Sequence, residues 1–355
     1  MNEKKVILLR AELFKNNEIS QIIYAESLNR LLLKESFVEL KEAPSVLFIS
    51  TQPFYERYYE KLTNIFEKKG QYHWYICPNN SGINSIEMFQ KIISFIEEMK
   101  IPKETVIFGA GNEGVYHLCG VIEKNSPFVS RFIYVPTTMT GFIHALNGHS
   151  YLLNHSLGMT MEQFALPERV VYDTMLNELE PIDSWATDFY SLVKLGILYQ
   201  KELLAELYQA SKSEKHAAFS PFLKSIIEIL QSEKETLVPY GLAVSQSFYR
   251  LRESHYLSRN QKMYIGFLLQ TLWGIMSNEI NFDFNKFYRW FEGIVGLDLS
   301  LPNQMITYDL AESIVNELVR YEEIEQVEAI GSVQIKEIPT IEEMYQVIDV
   351  YRNFK

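Results

Sequence analysis

In the first half of the chain, short apolar runs alternate with segments whose apolar positions recur at helical spacing. The runs predict strands and the helical spacing predicts helices. Strands are expected at 46–50, 72–77 and 105–108, and helices at 54–69 and 85–100. Gly70 is expected to end the first helix and Ser85 to cap the start of the second. This alternation is typical of a parallel sheet with helices on its faces.

From about residue 181 onwards, helical apolar spacing continues almost throughout. Helices are predicted at 184–210, 221–232, 241–256, 261–277, 284–295 and 310–321, with one short strand at 331–335. We therefore expect two domains. Residues 1–180 should form an α/β, Rossmann-like domain of the dinucleotide-binding type with a parallel sheet. Residues 181–355 should form an almost all-α domain.

The segment 131–173 is predicted to form a buried strand, a Thr-Thr turn, a loop rich in Gly, Asn and His, and a second buried strand. Thr137 and Thr138 follow the first strand, at the edge where ligands bind in open α/β sheets. Asp173 closes the second strand and could accept a hydroxyl. All three are candidate cofactor-binding residues. Each could instead cap a helix or turn, so both interpretations remain open.

Gly109, Gly111 and Gly114 form a G-x-G-x-x-G motif between a predicted strand and a predicted helix. Such glycines let the backbone approach a pyrophosphate, which the helix N-terminus then stabilises. Glu113 would repel that phosphate. The motif is therefore compatible with a nucleotide site and equally with a tight turn.

His144, His149 and His155 lie within twelve residues and are the candidate catalytic histidines. Imidazoles serve in acid–base chemistry and as metal ligands. Their spacings of five and six match no known ligand pattern, and no cysteine joins them, so structural hydrogen bonding is favoured over a metal site. His117 is expected to be a partly exposed helix residue.

Composition narrows the possible partners. The chain has 355 residues and a formal net charge of −12, which argues against a nucleic-acid partner. Its two cysteines, Cys77 and Cys119, make a disulfide framework unexpected and favour a reducing compartment. No long apolar span or leader-like segment is present, so we expect a cytoplasmic protein without a membrane partner.

Together these motifs resemble the 3-dehydroquinate synthases and the wider sugar-phosphate cyclases, mainly over about residues 46–196. The matching residues are Gly109, Gly111, Gly114, Pro136, Thr137, Thr138, Gly148, Asn154, His155, Leu157, Gly158, Met161, Pro167, Val170, Val171, Asp173, Lys194 and Gly196. The resemblance implies a dinucleotide-binding domain, a helical domain and a homodimer. It also implies NAD and a divalent metal, typically zinc, for a reaction that eliminates phosphate and closes a ring.

The residues that would hold the metal depart from that family. Its glutamate ligand, three positions before the lysine matching Lys194, is Ser191 here, and one histidine ligand is replaced by Lys234. The segment with the other histidine ligand is missing. Asp188 is the nearest substitute carboxylate. Lys194 itself is kept as a candidate catalytic residue, no metal ligand is assigned and zinc is not expected.

The phosphate and cofactor contacts also depart from the family. Its lysines fall at Ser150 and Met159, an asparagine falls at Thr160, and the aspartate after the Thr-Thr turn is His144. Each lost charge-assisted hydrogen bond weakens binding by about 1.5–3 kcal/mol. A phosphate ester would therefore bind far more weakly, while NAD remains open as a cofactor.

Three hypotheses follow. The favoured one is a divergent homologue, a pseudoenzyme, that has lost metal-dependent cyclase activity and acts by binding, as a homodimer or with a protein partner. The second is an enzyme with altered, metal-independent chemistry that uses the histidines and Glu113. The third is a functional, NAD-dependent 3-dehydroquinate synthase. Fold alone does not decide among them.

Overall fold

The computed structural model describes most of the chain and divides it into two compact units. The described residues are 9–24, 27–33, 37, 40, 42–66, 71–80, 82–154, 159–181, 184–213, 218–232, 240–321 and 324–354. The first unit comprises Met1–Ser184 and Phe219–Glu233, and the second comprises Trp185–Ala218 and Lys234–Lys355. The sequence predicts a single domain boundary near residue 180. It does not predict that residues 219–233 belong to the first unit.

The first unit is built from nine strands and six helices within its described residues. The strands are β1 (Leu9–Lys15), β2 (Glu18–Tyr24), β3 (Ser45–Thr51), β4 (Gln71–Cys77), β5 (Thr105–Gly111), β6 (Val129–Pro136), β7 (His149–Leu153), β8 (Met159–Phe164) and β9 (Arg169–Tyr172). The helices are α1 (Leu28–Leu33), α2 (Gln52–Phe66), α3 (Ile86–Glu98), α4 (Glu113–Asn125), α5 (Met139–Asn147) and α8 (Leu223–Gln231).

Seven strands form one sheet in the order β1-β2-β9-β6-β5-β3-β4. All neighbours are parallel except the antiparallel pair β1–β2. Every residue of β3 and β5 is buried, which explains why these strands read as continuous apolar runs. The predicted parallel sheet with helices is therefore confirmed. The predicted cap is also present, because Ser85 Oγ accepts from the Met88 amide.

Helix α8 lies far along the chain but packs in the first unit. It contacts α5 and β1, and Gln231 Nε2 donates to the Glu12 carbonyl over 3.1 Å. Its apolar face, with Ile226 and Leu230 fully buried, supplies the surface that docks on this unit.

The prediction of a Gly-, Asn- and His-rich loop after the Thr-Thr turn was wrong. Residues 139–147 form α5, and 149–153 form β7, which pairs with β8 in a separate two-stranded sheet. Thr138 caps the helix, and Gly148, with φ 87°, ends it in the left-handed conformation. Phe142, Ile143 and Leu146 already carry the helical spacing of a buried face.

The second unit is almost entirely helical, as predicted. Its helices are α6 (Ser184–Tyr199), α7 (Lys201–Ser213), α9 (Leu242–Ser247), α10 (Arg259–Ser277), α11 (Phe284–Val295), α12 (Thr307–Leu318) and α13 (Ile341–Arg352). The single predicted strand is one half of a hairpin, β10 (Ile324–Ala329) with β11 (Ser332–Lys336), which turns at Gly331 with φ 91°. Among the described residues, no helix is both long and apolar enough to cross a membrane.

Candidate functional site

The glycine-rich turn lies at the carboxyl end of β5, where the sequence predicted it. Asn112 caps α4, because its Oδ1 accepts from the Gly114 amide over 3.1 Å. The hydroxyl of Tyr134 lies 2.8 Å from the carbonyl oxygens of both Gly111 and Asn112. Burial, with Glu113 nearby, raises the pKa of Tyr134, so this hydroxyl stays protonated and donates.

The glycines of this turn allow neighbouring side chains of the protein to pack closely against the backbone. A Cβ on Gly109 would lie 2.6 Å from Cys119 Sγ, and one on Gly114 would lie 2.5 Å from a carbon of Ile83. A pyrophosphate here would compete with the Asn112 cap and face the Glu113 carboxylate in the first turn of α4. The groups at this turn fit helix capping better than they fit a dinucleotide.

Thr137, Thr138 and Asp173 also have internal partners. Thr138 Oγ1 accepts from the Gly141 amide over 2.8 Å, and the Thr137 hydroxyl donates to the Glu180 carboxylate. Asp173 caps a 3-10 turn at Thr174–Leu179 and accepts from the amides of residues 28 and 175. Capping is therefore what the structure records for Thr138 and Asp173. A cofactor role for all three stays a prediction.

His144 pairs with a residue that the sequence did not single out as chemical. Its Nδ1 lies 3.0 Å from Nε2 of His117, and the His117 ring lies 4.0 Å from the ring of Tyr151. His117 is 1% exposed, so the expectation of a partly exposed residue was wrong. The pair joins α4 to α5 through two side chains 27 positions apart, a relation that sequence spacing does not reveal.

His149 lies on β7 and faces the opposite strand of its small sheet. Its Nδ1 is 3.3 Å from Glu162 on β8, and 22% of its side chain is exposed. His155 lies outside the described residues. The structure therefore places His144 and His149 in two different pairs. Sequence reasoning did not identify Glu162, which lies exposed on β8 beside His149.

In the second unit, Asp188, Ser191 and Lys194 follow one another at single helical turns on α6, and all are buried. The Ser191 hydroxyl donates to the Thr187 carbonyl of its own helix over 3.1 Å. Burial lowers the pKa of the Lys194 ammonium to about 7, against the opposing attraction of Glu325. Sequence reasoning identified Lys194 and missed Glu325, which reaches it from β10.

The donor set does not fit a catalytic zinc, which normally has three protein ligands. Among the described residues, no group of three or more His, Cys, Asp or Glu side chains could hold a metal ion. Cys77 and Cys119 are free and buried, and burial raises the pKa of both thiols, to about 12 for Cys77. Both thiols are therefore protonated in the metal-free protein.

Comparisons with known proteins confirm the sequence resemblance. The 3-dehydroquinate synthase of Shouchella clausii is 27% identical over 168 residues, 47% of this chain and 46% of that protein. The chain spans between about two fifths and about half of the length of several curated relatives that it matches. No family model matches it.

Solved structures of sugar-phosphate cyclases share the fold. A 2-deoxy-scyllo-inosose synthase, solved with carbaglucose-6-phosphate, NAD+ and Co2+, superposes with a TM-score of 0.70 at 13% identity, covering 98% of this chain and 100% of that chain. The 2-epi-5-epi-valiolone synthase of Streptomyces hygroscopicus, solved with NAD+ and Zn2+, gives 0.71 at 11% identity, covering 90% and 94%. At these identities the likeness shows the fold alone.

Proposed function

We propose that this chain, which resembles the 3-dehydroquinate synthases in sequence and has the fold of the sugar-phosphate cyclases, acts by binding and has lost metal-dependent cyclisation. The observation that carries the proposal is on α6. Where the resemblance places a glutamate ligand, the Ser191 hydroxyl donates its proton to the Thr187 carbonyl. A neutral hydroxyl used in this way supplies no charge to hold a dication.

The position of one family phosphate contact supports the same proposal. Ser150, which replaces a lysine, is fully buried on β7 and packs directly over Gly120 of α4. A side chain so placed contributes to helix packing and offers no cation to a phosphate ester. The substitution therefore removes a ligand contact and fills a core position at once.

The turn at 109–114 supports loss of the cofactor as well. The Gly114 amide is capped by the Asn112 side chain, and the carbonyls of Gly111 and Asn112 accept from the Tyr134 hydroxyl. We propose that the glycines here serve packing, so that NAD is not bound at this turn.

A second candidate function, acid–base chemistry without a metal, rests on the pair of His149 and Glu162. A partly exposed imidazole 3.3 Å from a carboxylate is an arrangement that general acid–base catalysis uses. His144 is less suited, because its Nδ1 already faces His117. If this second function holds, His149→Gln abolishes turnover of the enzyme's substrate while leaving the fold intact.

The metal content of the purified protein tests the first proposal. The protein is incubated with excess zinc, desalted and measured by mass spectrometry, with the Shouchella clausii 3-dehydroquinate synthase treated in parallel. We expect far less than one zinc per chain here and about one in the control. Stoichiometric zinc, or formation of 3-dehydroquinate with NAD and zinc present, would overturn the proposal.

A thermal-shift titration tests the cofactor. A ligand at about 100 times its dissociation constant stabilises the folded state by roughly 2.7 kcal/mol, which raises the melting temperature measurably. We expect no shift with millimolar NAD. A saturable shift that Gly114→Ala removes would restore the nucleotide interpretation of the turn.

A homodimer belongs to the same proposal, because the resemblance implies one and many of its matching residues are backbone-shaping Gly and Pro. Sedimentation equilibrium of the full chain should give twice the chain mass. A monomer at micromolar concentration contradicts the dimer without affecting the loss of metal chemistry.

A further inference from the structure

The second unit contains an open cavity that involves none of the candidate residues described above. It has a volume of about 530 Å³. Side chains from α7, from α11 with the preceding segment 281–283, and from Ile330 at the hairpin turn line it. Small-molecule sites commonly have volumes of about 300–1,000 Å³, so the cavity is large enough for an organic ligand.

Aromatic rings form much of the lining. Tyr208 and Trp290 meet edge to face at 5.4 Å, and Phe287 lies 5.9 Å from Trp290. Trp290 Nε1 donates to Ser211 Oγ over 2.8 Å, so its one polar group is already satisfied. The lining thus offers apolar and aromatic surface that suits a flat, apolar ligand.

Two ammonium groups lie near the ring of Tyr208. Lys212 Nζ lies 4.3 Å and Lys286 Nζ 5.6 Å from the centre of the Tyr208 ring. Lys201 also lines the cavity, as do Asp283 and Glu202. Asp283 uses a carboxylate oxygen to accept from the amide of residue 286 at the start of α11, so it is committed to capping.

The surroundings of the cavity carry a small excess of positive charge in a chain whose net charge is −12. The ammonium groups of Lys212 and Lys286 lie near the same ring and repel one another, and a negatively charged ligand would relieve that repulsion. Lys201, Lys212 and Lys286 give three positive charges, and the carboxylates of Glu202 and Asp283 give two negative ones. The formal charge around the cavity is therefore +1, which suits a ligand with one anionic group.

We propose that this cavity binds a planar, largely apolar molecule that carries one anionic group, such as an aryl sulfonate or aryl carboxylate. The rings of Tyr208, Phe287 and Trp290 contact the apolar part, and Lys201 and Lys286 meet the anion. The proposal goes beyond the loss of cyclisation and is independent of it, because the two sets of residues do not overlap.

Two matched fluorescent probes test the apolar and the anionic requirement separately. 8-Anilinonaphthalene-1-sulfonate carries the anion, and N-phenyl-1-naphthylamine has the same rings without it. Both are titrated into the full chain at low salt. We expect one saturable site for the sulfonate and roughly fivefold or more weaker binding of the neutral probe, as for the loss of about one charge contact.

Variants then locate the site. Ala205 is exposed and lines the cavity, so Ala205→Phe should fill it and abolish binding of both probes, whereas Ala218→Phe, an exposed position outside the lining, should not. Lys286→Gln should weaken only the sulfonate by roughly fivefold, and Glu202→Gln should strengthen it. Lys224→Gln, at an 80% exposed position on α8, serves as the charge control.

Three results would overturn the proposal. The first is the absence of saturable binding, and the second is sulfonate binding that survives Ala205→Phe. The third is an equal affinity for the two probes, together with a sulfonate affinity that Lys286→Gln does not change. Circular dichroism and the melting temperature of each variant confirm that the fold is retained. None of these outcomes alters the zinc measurement, so the two proposals fail separately.

Discussion

The glycine-rich turn 109–114 in the first unit and the middle of α6 in the second treat buried polar groups in opposite ways. At the turn, the Gly114 amide is bonded to Asn112, and two carbonyls accept from Tyr134. On α6, Lys194 is a buried ammonium whose pKa is lowered to about 7. The polar backbone groups of the turn are hydrogen-bonded within the chain, whereas α6 carries an amine whose charged form is disfavoured by burial.

The difference shows that burial alone does not indicate whether a polar group stabilises the fold. At the turn, the groups that a dinucleotide could contact are bonded within the chain, which stabilises the fold. On α6, burial lowers the pKa of Lys194, so we expect its charged form to lower the stability. Strongly shifted pKa values are typical of functional sites, so we infer that Lys194 is the candidate site residue to examine first.

The largest effect is expected from Lys194→Met, which removes the buried charge. Between about pH 7 and the ordinary pKa of lysine, the unfolded chain binds a proton that the folded chain does not, so wild-type stability rises with pH. The variant lacks this slope of up to about 1.4 kcal/mol per pH unit. It should therefore be more stable than wild type by several kcal/mol below about pH 7, and the difference should shrink towards about pH 10.

Urea unfolding of both proteins at several pH values across that window measures the difference. Lys224→Met, at the 80% exposed position on α8, is the control and should show no such pH dependence. A destabilised Lys194→Met variant at low pH, or a difference that is constant with pH, would show that the ammonium is not disfavoured and would break the comparison.

The next effect concerns the packing of the turn. Gly109→Ala places a Cβ 2.6 Å from Cys119 Sγ, and overpacking of this kind destabilises by about 1–3 kcal/mol. Adding Cys119→Ala removes the sulfur, so the double variant should recover much of the loss. Chemical unfolding of the wild type, both single variants and the double variant gives the coupling energy. Strictly additive effects would mean that Gly109 is not there for this contact.

Much of the fold could be predicted because its signals are local. The all-buried strands β3 and β5 appear as apolar runs, and Ser85 lies next to the helix it caps. Strand β10 was missed because three of its six residues are polar, so it lacks a continuous apolar run. Helix α5 was missed because its Gly, Asn and His content suggested a loop, although Thr138 and Gly148 supplied both of its ends.

The site was less predictable because its contacts join distant positions. Residue types and strand ends identified Thr137 and His144, and the family resemblance identified Lys194. Their partners, such as Glu180 and Glu325, come from elements whose placement depends on the whole fold. Sequence spacing carries no information on such pairings, so it could indicate candidates but not their protonation or their partners.

A smaller effect is expected from Tyr134→Phe, which removes the hydroxyl shared by the carbonyls of Gly111 and Asn112. Each carbonyl keeps a backbone donor, the Thr137 amide for Gly111 and the Val115 amide for Asn112, so losing the hydroxyl costs only a typical hydrogen bond of about 0.5–1.5 kcal/mol. Tyr256→Phe, at a 66% exposed ring, is the matched control and should change little. If thermal unfolding of the two variants is the same, the turn is not stabilised from within, and its contrast with α6 disappears.

The smallest effect concerns Thr138, the residue that caps the start of α5. Thr138→Ala removes the hydroxyl that accepts from the Gly141 amide, and loss of an N-cap destabilises by about 1 kcal/mol. Thr138→Ser keeps the acceptor and should restore most of the stability. If the hydroxyl instead serves a ligand and contributes nothing to the cap, Thr138→Ala leaves the free energy of unfolding unchanged. It then lowers only the affinity for the ligand. Denaturant unfolding of the three proteins without ligand therefore separates a capping residue from a binding residue at the edge of the sheet.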